Sequence, residues 1–214
     1  MKTVRYLLTL LAAVCLPLTA AESTPGLADI QSAWARINYD DIDSDKKADE
    51  FKSLIKQAEA LVETQPKQPE YLIWLGIVQS STAGAEGGIG ALKYAKSAKK
   101  SFEDALSIDS HALQGSAMTS LGVLYHKVPG WPIGFGSDKK AEQLLKSALQ
   151  VNPDGIDSNY FYAEYLYDDG EYEQALAYLD KALNAAPRPT RPLADEGRHK
   201  DIAALRAKVE KKIH

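Results

Sequence analysis

The sequence predicts an all-α protein in which pairs of helices stack side by side into a solenoid. Alanine, leucine, lysine and glutamate dominate, and apolar residues recur three and four positions apart through most of the chain. A related pattern also recurs three times within residues 95–187, and its last two copies lie 34 residues apart. Runs of β-branched residues are scarce, so no stretch favours a strand.

The first 21 residues have the pattern of a secretory signal peptide. Two basic residues precede an apolar stretch, residues 6–16, which is too short for a membrane-spanning helix of about 20 residues. Small residues then fit cleavage after Ala21, or one residue earlier. Val14 stands where a lipoprotein would have a small residue before its cysteine, Cys15. We therefore predict export with removal of residues 1–21 and without a lipid anchor.

Charge and cysteine content limit the classes of function. The chain has 29 acidic and 25 basic residues, a net charge of −4, and no basic stripe, which argues against nucleic acid and anionic membranes as partners. A second long apolar segment is missing, so we predict no transmembrane segment after signal removal. The single cysteine lies within the signal, which leaves no thiol for catalysis, disulfides or metal binding.

Residues 22–47 are predicted to form an amino-terminal helix and an acidic linker. The helical pattern covers residues 27–37 and includes Trp34. A second helix is expected over residues 51–63, where the repeats begin.

The repeated pattern places small and large residues at fixed intervals. A small residue is followed four positions later by a large one, and three positions after that by alanine and leucine. The three sets are Ala98, Phe102 and Ala105; Ala141, Leu145 and Ala148; and Ala175, Leu179 and Ala182. In the preceding helices a small residue follows a large one at Gly76, Gly122 and Ala163. Small side chains let two helices cross closely, so all these positions are predicted to be core.

This pattern resembles the tetratricopeptide repeat (TPR), a 34-residue unit of two antiparallel helices. The twelve residues from Ala163 to Ala175 match the spacing of that family, and Pro187 stands where its second helix ends. The resemblance covers residues 48–187, as one worn unit and three fuller ones. Residues 188–214 are predicted to form a linker and a capping helix, because a narrow apolar stripe runs along a charged helix there.

Two units are longer than the family repeat, and their extra residues fall between the paired helices. We expect two inserted loops, within residues 81–90 and 128–137, side by side on one edge of the solenoid. Their apolar residues are candidates for contact with a partner, and these are Ile89, Trp131, Ile133 and Phe135. The alternative is that Trp131 and Phe135 fold back to fill the space between units.

The resemblance also implies a binding groove, because the first helix of each TPR unit lines the concave surface. The implied groove residues are Glu70, Ile73, Ile77, Thr119, Val123, His126, Asp157, Tyr160, Glu164 and Tyr167. This lining would be apolar at one end and acidic and aromatic at the other. It fits an extended or helical peptide, or an amphipathic ligand with a positively charged end. The alternative is that Tyr160 and Tyr167 pack on neighbouring helices.

The sequence contains partial matches to cofactor-binding motifs, but each lacks residues that the motif requires. The glycine-rich residues 84–90 lack the Lys-Ser/Thr of a phosphate-binding loop. Asp41, Asp43 and Asp45 are spaced like calcium ligands, but lysines occupy the sixth and twelfth places of that loop. The four histidines show no metal-ligand spacing. We expect no cofactor, no metal site and no enzymatic activity.

The sequence therefore predicts a periplasmic scaffold that binds a protein, a peptide or an apolar small ligand in its concave groove. The signal, the longer turns and the proline-rich tail are similar to those of exported bacterial TPR proteins. They are less specifically similar to the T component of tripartite ATP-independent periplasmic (TRAP) transporters, which implies a solute-binding protein as partner. An envelope or cell-wall assembly factor is one alternative, and an unrecognised enzyme is the least favoured.

Overall fold

The computed structural model describes residues 25–213, which contain nine α-helices, one short 3-10 helix and no strand. The α-helices are α1 (Leu27–Tyr39), α2 (Ser44–Thr64), α3 (Pro69–Glu86), α4 (Gly88–Ile108), α5 (Ser116–Lys127), α6 (Asp138–Val151), α7 (Ile156–Asp168), α8 (Tyr172–Leu183) and α9 (Pro192–Ile213). The 3-10 helix, Ala112–Gly115, directly precedes α5. The predicted signal peptide and Cys15 lie outside the described residues. Within them, no helix combines the length and apolarity that crossing a membrane requires.

Consecutive helices pack as hairpins, and the hairpins stack. The pairs are α3 with α4, α5 with α6, and α7 with α8, while α2 packs on α3 and α1 packs on α2. The acidic connection between α1 and α2 is shorter than expected, because α2 begins at Ser44 and only four residues, 40–43, separate the helices.

The recurring small and large residues form the core, as predicted. Each of the nine residues in the three sets is at most 1% exposed. At the first crossing, a Cβ atom on Gly76 would lie 2.6 Å from the Phe102 ring, and at the second, one on Gly122 would lie 2.9 Å from Leu145 Cγ. Small residues are therefore required where the paired helices touch.

The first of the two expected inserted loops is helical instead. α3 continues to Glu86 and α4 begins at Gly88, so the extra residues lengthen both helices of the hairpin. The chain reverses at Gly87 and Gly88, whose φ angles of +63° and +54° suit glycine. The glycines and serines of this segment predicted a loop, but its alanines and the buried Thr82 let the hairpin extend.

Helix α9 caps the solenoid, as predicted, and it also contacts α1. Its apolar stripe, Ile202, Leu205 and Val209, is buried, and the helix packs on α8 and α7. Gly197 lies against the ring of Tyr39 in α1, and the Tyr39 hydroxyl donates a hydrogen bond of 3.2 Å to Asp201. The two ends of the described chain therefore meet across the concave side.

Candidate functional site: the concave groove

A groove of about 1220 Å³ runs along the concave side. The first helices of the three hairpins, α3, α5 and α7, contribute to its lining together with α1 and α4. The connections after α5 and α6, the segment before α9 and Arg198 of α9 complete it. Its walls are largely apolar, and they include Trp34, Trp74, Ile77, Val123 and Phe161. The small residues of the repeat bring the helices close together, so these larger side chains line one continuous surface.

Four of the ten predicted groove residues lie in this lining. They are Ile77, Thr119, Val123 and Asp157. Ile73 and Tyr160 were placed in the groove wrongly, since they are 0% and 8% exposed and belong to the core. For Ile73 the reason is that α3 has buried apolar residues on nearly every side, whereas a family register assigns only one inward face.

The other four predicted residues lie outside the groove lining. Tyr167 packs on Tyr172, with ring centroids 5.7 Å apart, and the Glu70 carboxylate accepts a 2.6 Å hydrogen bond from Gln68 at the start of α3. His126 and Glu164 belong to an ion-pair cluster, described next. The expected acidic and aromatic end of the groove is therefore largely used in packing and pairing between helices.

The ion-pair cluster joins α5 to α7 through Asp168. Its carboxylate lies 2.9 Å from His126 Nε2 and 2.7 Å from Lys127 Nζ, and Glu164 lies 3.5 Å from the same Nζ. Burial alone would lower the pKa of Lys127, but the two carboxylates outweigh it and raise that pKa. These charges compensate each other, so the cluster serves to hold two units together.

A second charged cluster lies where the linker before α9 reaches the groove. Asp157, at the start of α7, accepts hydrogen bonds from Arg188 (2.6 Å) and Arg198 (2.9 Å). Arg188 also binds Asp195, and Arg198 binds Asp201. Burial alone would raise the pKa of Asp157, but the charges of Arg198 and Arg188 outweigh it and lower the pKa to about 2. Asp157 therefore fixes the linker against α7 and offers little free negative charge to a ligand.

Arg191 lines the groove beside this cluster and was missed by the sequence analysis. Its guanidinium lies over Trp74, 4.8 Å from the ring centroid, and 6.0 Å from that of Trp34. Its Nε atom is buried and has no hydrogen-bond partner among the described residues. Burial and the nearby charge of Arg188 lower the pKa of Arg191. In the sequence Arg191 is one arginine of a proline-rich linker, and no periodic signal marks the side it faces.

The four inserted-segment residues divide into two groups. Phe135 folds back on Tyr125, with ring centroids 5.7 Å apart, as the packing alternative expected, whereas Trp131 does not fold back. Ile89, Trp131 and Ile133 are 97%, 89% and 70% exposed. Ile89, on the first turn of α4, and Ile133 also line the groove, so they stand at its mouth.

Within the described residues, no group of three or more histidine, cysteine or acidic side chains is placed to hold a metal ion. The groove lining is mainly apolar, and its polar groups include hydroxyl groups and arginines.

Comparison with known proteins supports the fold. Residues 139–209 match the tetratricopeptide-repeat family model. The crystal structure of a thermophilic TPR protein from Thermus thermophilus is similar to this chain, with a TM-score of 0.57 and 19% sequence identity over 85% of this chain and 88% of that one. No curated protein matches the sequence. The chain is thus an all-α solenoid of TPR-type helical hairpins, and its carboxy-terminal part carries the repeat signature.

Proposed function

We propose that this chain is an exported interaction scaffold whose concave groove binds an elongated, mostly apolar segment of a partner or an apolar ligand. The observation that carries the proposal is the groove itself. Its volume of about 1220 Å³ is above the roughly 300–1,000 Å³ usual for small-molecule sites. Large apolar side chains left exposed at a concave surface are typical of binding sites, and Ile89 and Ile133 stand at its mouth.

The hydroxyl groups of the groove favour binding over catalysis. Ser80, Ser116 and Thr119 donate hydrogen bonds to backbone carbonyls of Ile77, Leu113 and Gly115 respectively. A nucleophilic hydroxyl would instead be paired with a base. TPR-fold proteins are also generally scaffolds, which agrees with this view.

The cellular setting belongs to the same proposal. The amino-terminal signal pattern supports export to the periplasm. The less specific similarity of the whole pattern, signal, longer turns and tail, to the TRAP-transporter T component supports a solute-binding protein as partner. Capture of such a protein by the chain from an envelope extract supports a transport role, whereas capture of an assembly machine supports the alternative role in envelope or cell-wall assembly.

Exposed isoleucines and leucines inside and outside the groove provide a matched test. The double variant Ile89→Gln/Ile133→Gln removes apolar surface at the groove mouth, and Ile108→Gln/Leu183→Gln removes it where the chain does not line the groove. We expect the groove variant to weaken binding of the neutral apolar dye Nile red by roughly 10-fold. Fluorescence titration measures the affinity, and the control variant should bind like the wild type.

Equal weakening in both double variants would contradict the proposal, because the dye would then bind exposed apolar surface in general. Circular dichroism confirms that both variants keep the helical content of the wild type.

A further inference from the structure

Among the cations that line the groove, Arg191 is the one whose guanidinium has no ion-pair partner within the described residues. Its Nε–H group is buried and donates no hydrogen bond to any of residues 25–213. An arginine remains protonated in proteins, and a partly buried charge without a partner is less stable than a paired one. The Trp74 face compensates part of this charge, but it does not supply an acceptor for the N–H groups.

Neighbouring arginines show the contrast. Arg188 and Arg198 share Asp157, and each has a second carboxylate, Asp195 and Asp201 respectively. Burial and the charge of Arg188 lower the pKa of Arg191, and they outweigh the charges of Asp157 and Asp195, which raise it. An anion that enters the groove would therefore find Arg191 unpaired and the other two arginines already satisfied.

The remainder of the groove selects for an apolar body. Its walls are aromatic and aliphatic, and several of its hydroxyl groups already donate to backbone carbonyls three or four residues earlier. An extended peptide brings an N–H and a C=O with every residue, and each must find a partner when buried. An alkyl chain brings none, so it can lie along Ile77 and Val123 without an unmet hydrogen bond.

We propose that the groove binds a monocarboxylic acid with a long apolar chain, with the carboxylate on the guanidinium of Arg191. The inference rests on the proposed binding function of the groove and names the chemical class of its ligand. The sign of the ligand's charge is opposite to that expected from the sequence, because Asp157 and Glu164 are paired with arginine and lysine and Glu70 lies outside the groove lining. Arginine suits this role since its N–H groups match the two oxygens of a carboxylate.

The first test compares three probes on the wild-type protein. Dodecanoate, dodecanol and dodecylamine share one alkyl chain and differ in charge, and each competes with bound Nile red. We expect dodecanoate to bind roughly 10- to 100-fold more tightly than dodecanol, as a hydrogen bond to a charged group implies, and dodecylamine to bind most weakly. Equal affinities of the three probes would overturn the carboxylate assignment while the groove remains a binding site.

The second test uses Arg191→Gln, with Arg206→Gln as its control. Arg206 lies in α9, pairs with Asp180 and Glu210, and does not line the groove. Arg191→Gln should remove the preference for dodecanoate over dodecanol and keep dodecanol binding, Arg191→Lys should keep part of the preference, and Arg206→Gln should keep all of it. If Arg191→Gln loses dodecanol and Nile red binding as well, the substitution has damaged the groove itself. The three-probe comparison on the wild type then decides whether the carboxylate is recognised.

An apolar decapeptide, with its carboxyl terminus either free or amidated, completes the design. Tighter binding of the free peptide than of dodecanoate, lost in Arg191→Gln, would overturn the assignment to a long-chain acid in favour of a peptide terminus. Failure of every probe, Nile red included, would instead contradict the proposed function of the groove.

Discussion

At the scale of single residues, Asp157 organises the charged side of the groove. Its carboxylate lies in the first turn of α7, where negative charge is favourable, and it holds one arginine from the linker and one from α9. The linker is thereby fixed, and Arg191 is placed over Trp74. The carboxylate of Asp157 thus determines the position of the unpaired Arg191 guanidinium in the groove.

The lowered pKa of Asp157 makes this contribution dependent on pH. We expect Asp157→Asn to lower the free energy of unfolding by about 1–2 kcal/mol at pH 7, a value reduced because solvent partly screens the carboxylate. The folded-state pKa of about 2 lies below the ordinary 3.8. The difference between wild type and variant should therefore be complete above about pH 4 and disappear as the pH falls toward 2.

Urea denaturation at pH 7, 4 and 2.5 measures this difference. Asp154→Asn serves as the control, because Asp154 also lines the groove but is exposed and forms no ion pair among the described residues. A loss at pH 7 that is equal in the two variants, or a loss as large at pH 2.5 as at pH 7, would speak against the ion-pair explanation.

Residues also differ in how far the sequence reveals them. The nine core residues of the repeat were predictable from their spacing, because paired helices that cross closely need small side chains at the crossing and large ones around it. Arg191 was not, because a linker has no periodicity from which to infer a direction. Tyr160 was misplaced because a family register describes an average unit, and here the guanidinium of Arg198 covers its ring, 4.4 Å from the centroid.

At the scale of elements, the α3–α4 hairpin is longer than its neighbours. The two helices have 18 and 21 residues, compared with 12 and 14 in α5 and α6. The extension carries Ile89 to the groove mouth, and the long connection after α5 carries Ile133 there as well. The sequence located both insertions, but it did not distinguish a helical extension from a loop. Glycine and serine disfavour a helix in isolation, and here tertiary packing overrides that preference.

Two glycines of α3 should respond in opposite ways to the same substitution. Gly76→Ala would place Cβ 2.6 Å from the buried Phe102 ring, so we expect a loss of about 1–3 kcal/mol from overpacking. Gly84→Ala has nothing within 4 Å of its Cβ, and we expect a gain of about 0.5–1 kcal/mol from the lower flexibility of the unfolded chain. Urea denaturation measures both, and a gain in both variants would show that helix propensity, and not the crossing, governs these positions.

At the scale of the whole molecule, the contact between α1 and α9 distinguishes this solenoid from an open rod. In a repeat array each unit contacts only its neighbours, and the ends are free to unfold first. Here Tyr39 and Gly197 join residues that lie far apart in the sequence. The sequence could not show this closure, because it results from small rotations accumulated over successive units.

We expect the contact between the ends to protect them from local unfolding. Gly197→Ala would place a Cβ against the Tyr39 ring, so α1 should exchange its amide hydrogens faster while α5 changes little. Hydrogen exchange measured by mass spectrometry reports each helix separately. Gly84→Ala is the control, and unchanged exchange in α1 of the Gly197→Ala variant would indicate that the ends are held independently of this contact.

The distribution of the three tryptophans has a practical consequence. Trp34 and Trp74 belong to the groove wall, whereas Trp131 is 89% exposed to water. Replacing Trp131 with phenylalanine leaves a chain whose intrinsic indole emission arises wholly from two side chains beside Arg191. Such a chain is its own optical sensor, in which quenching or a spectral shift reports occupancy without any attached label.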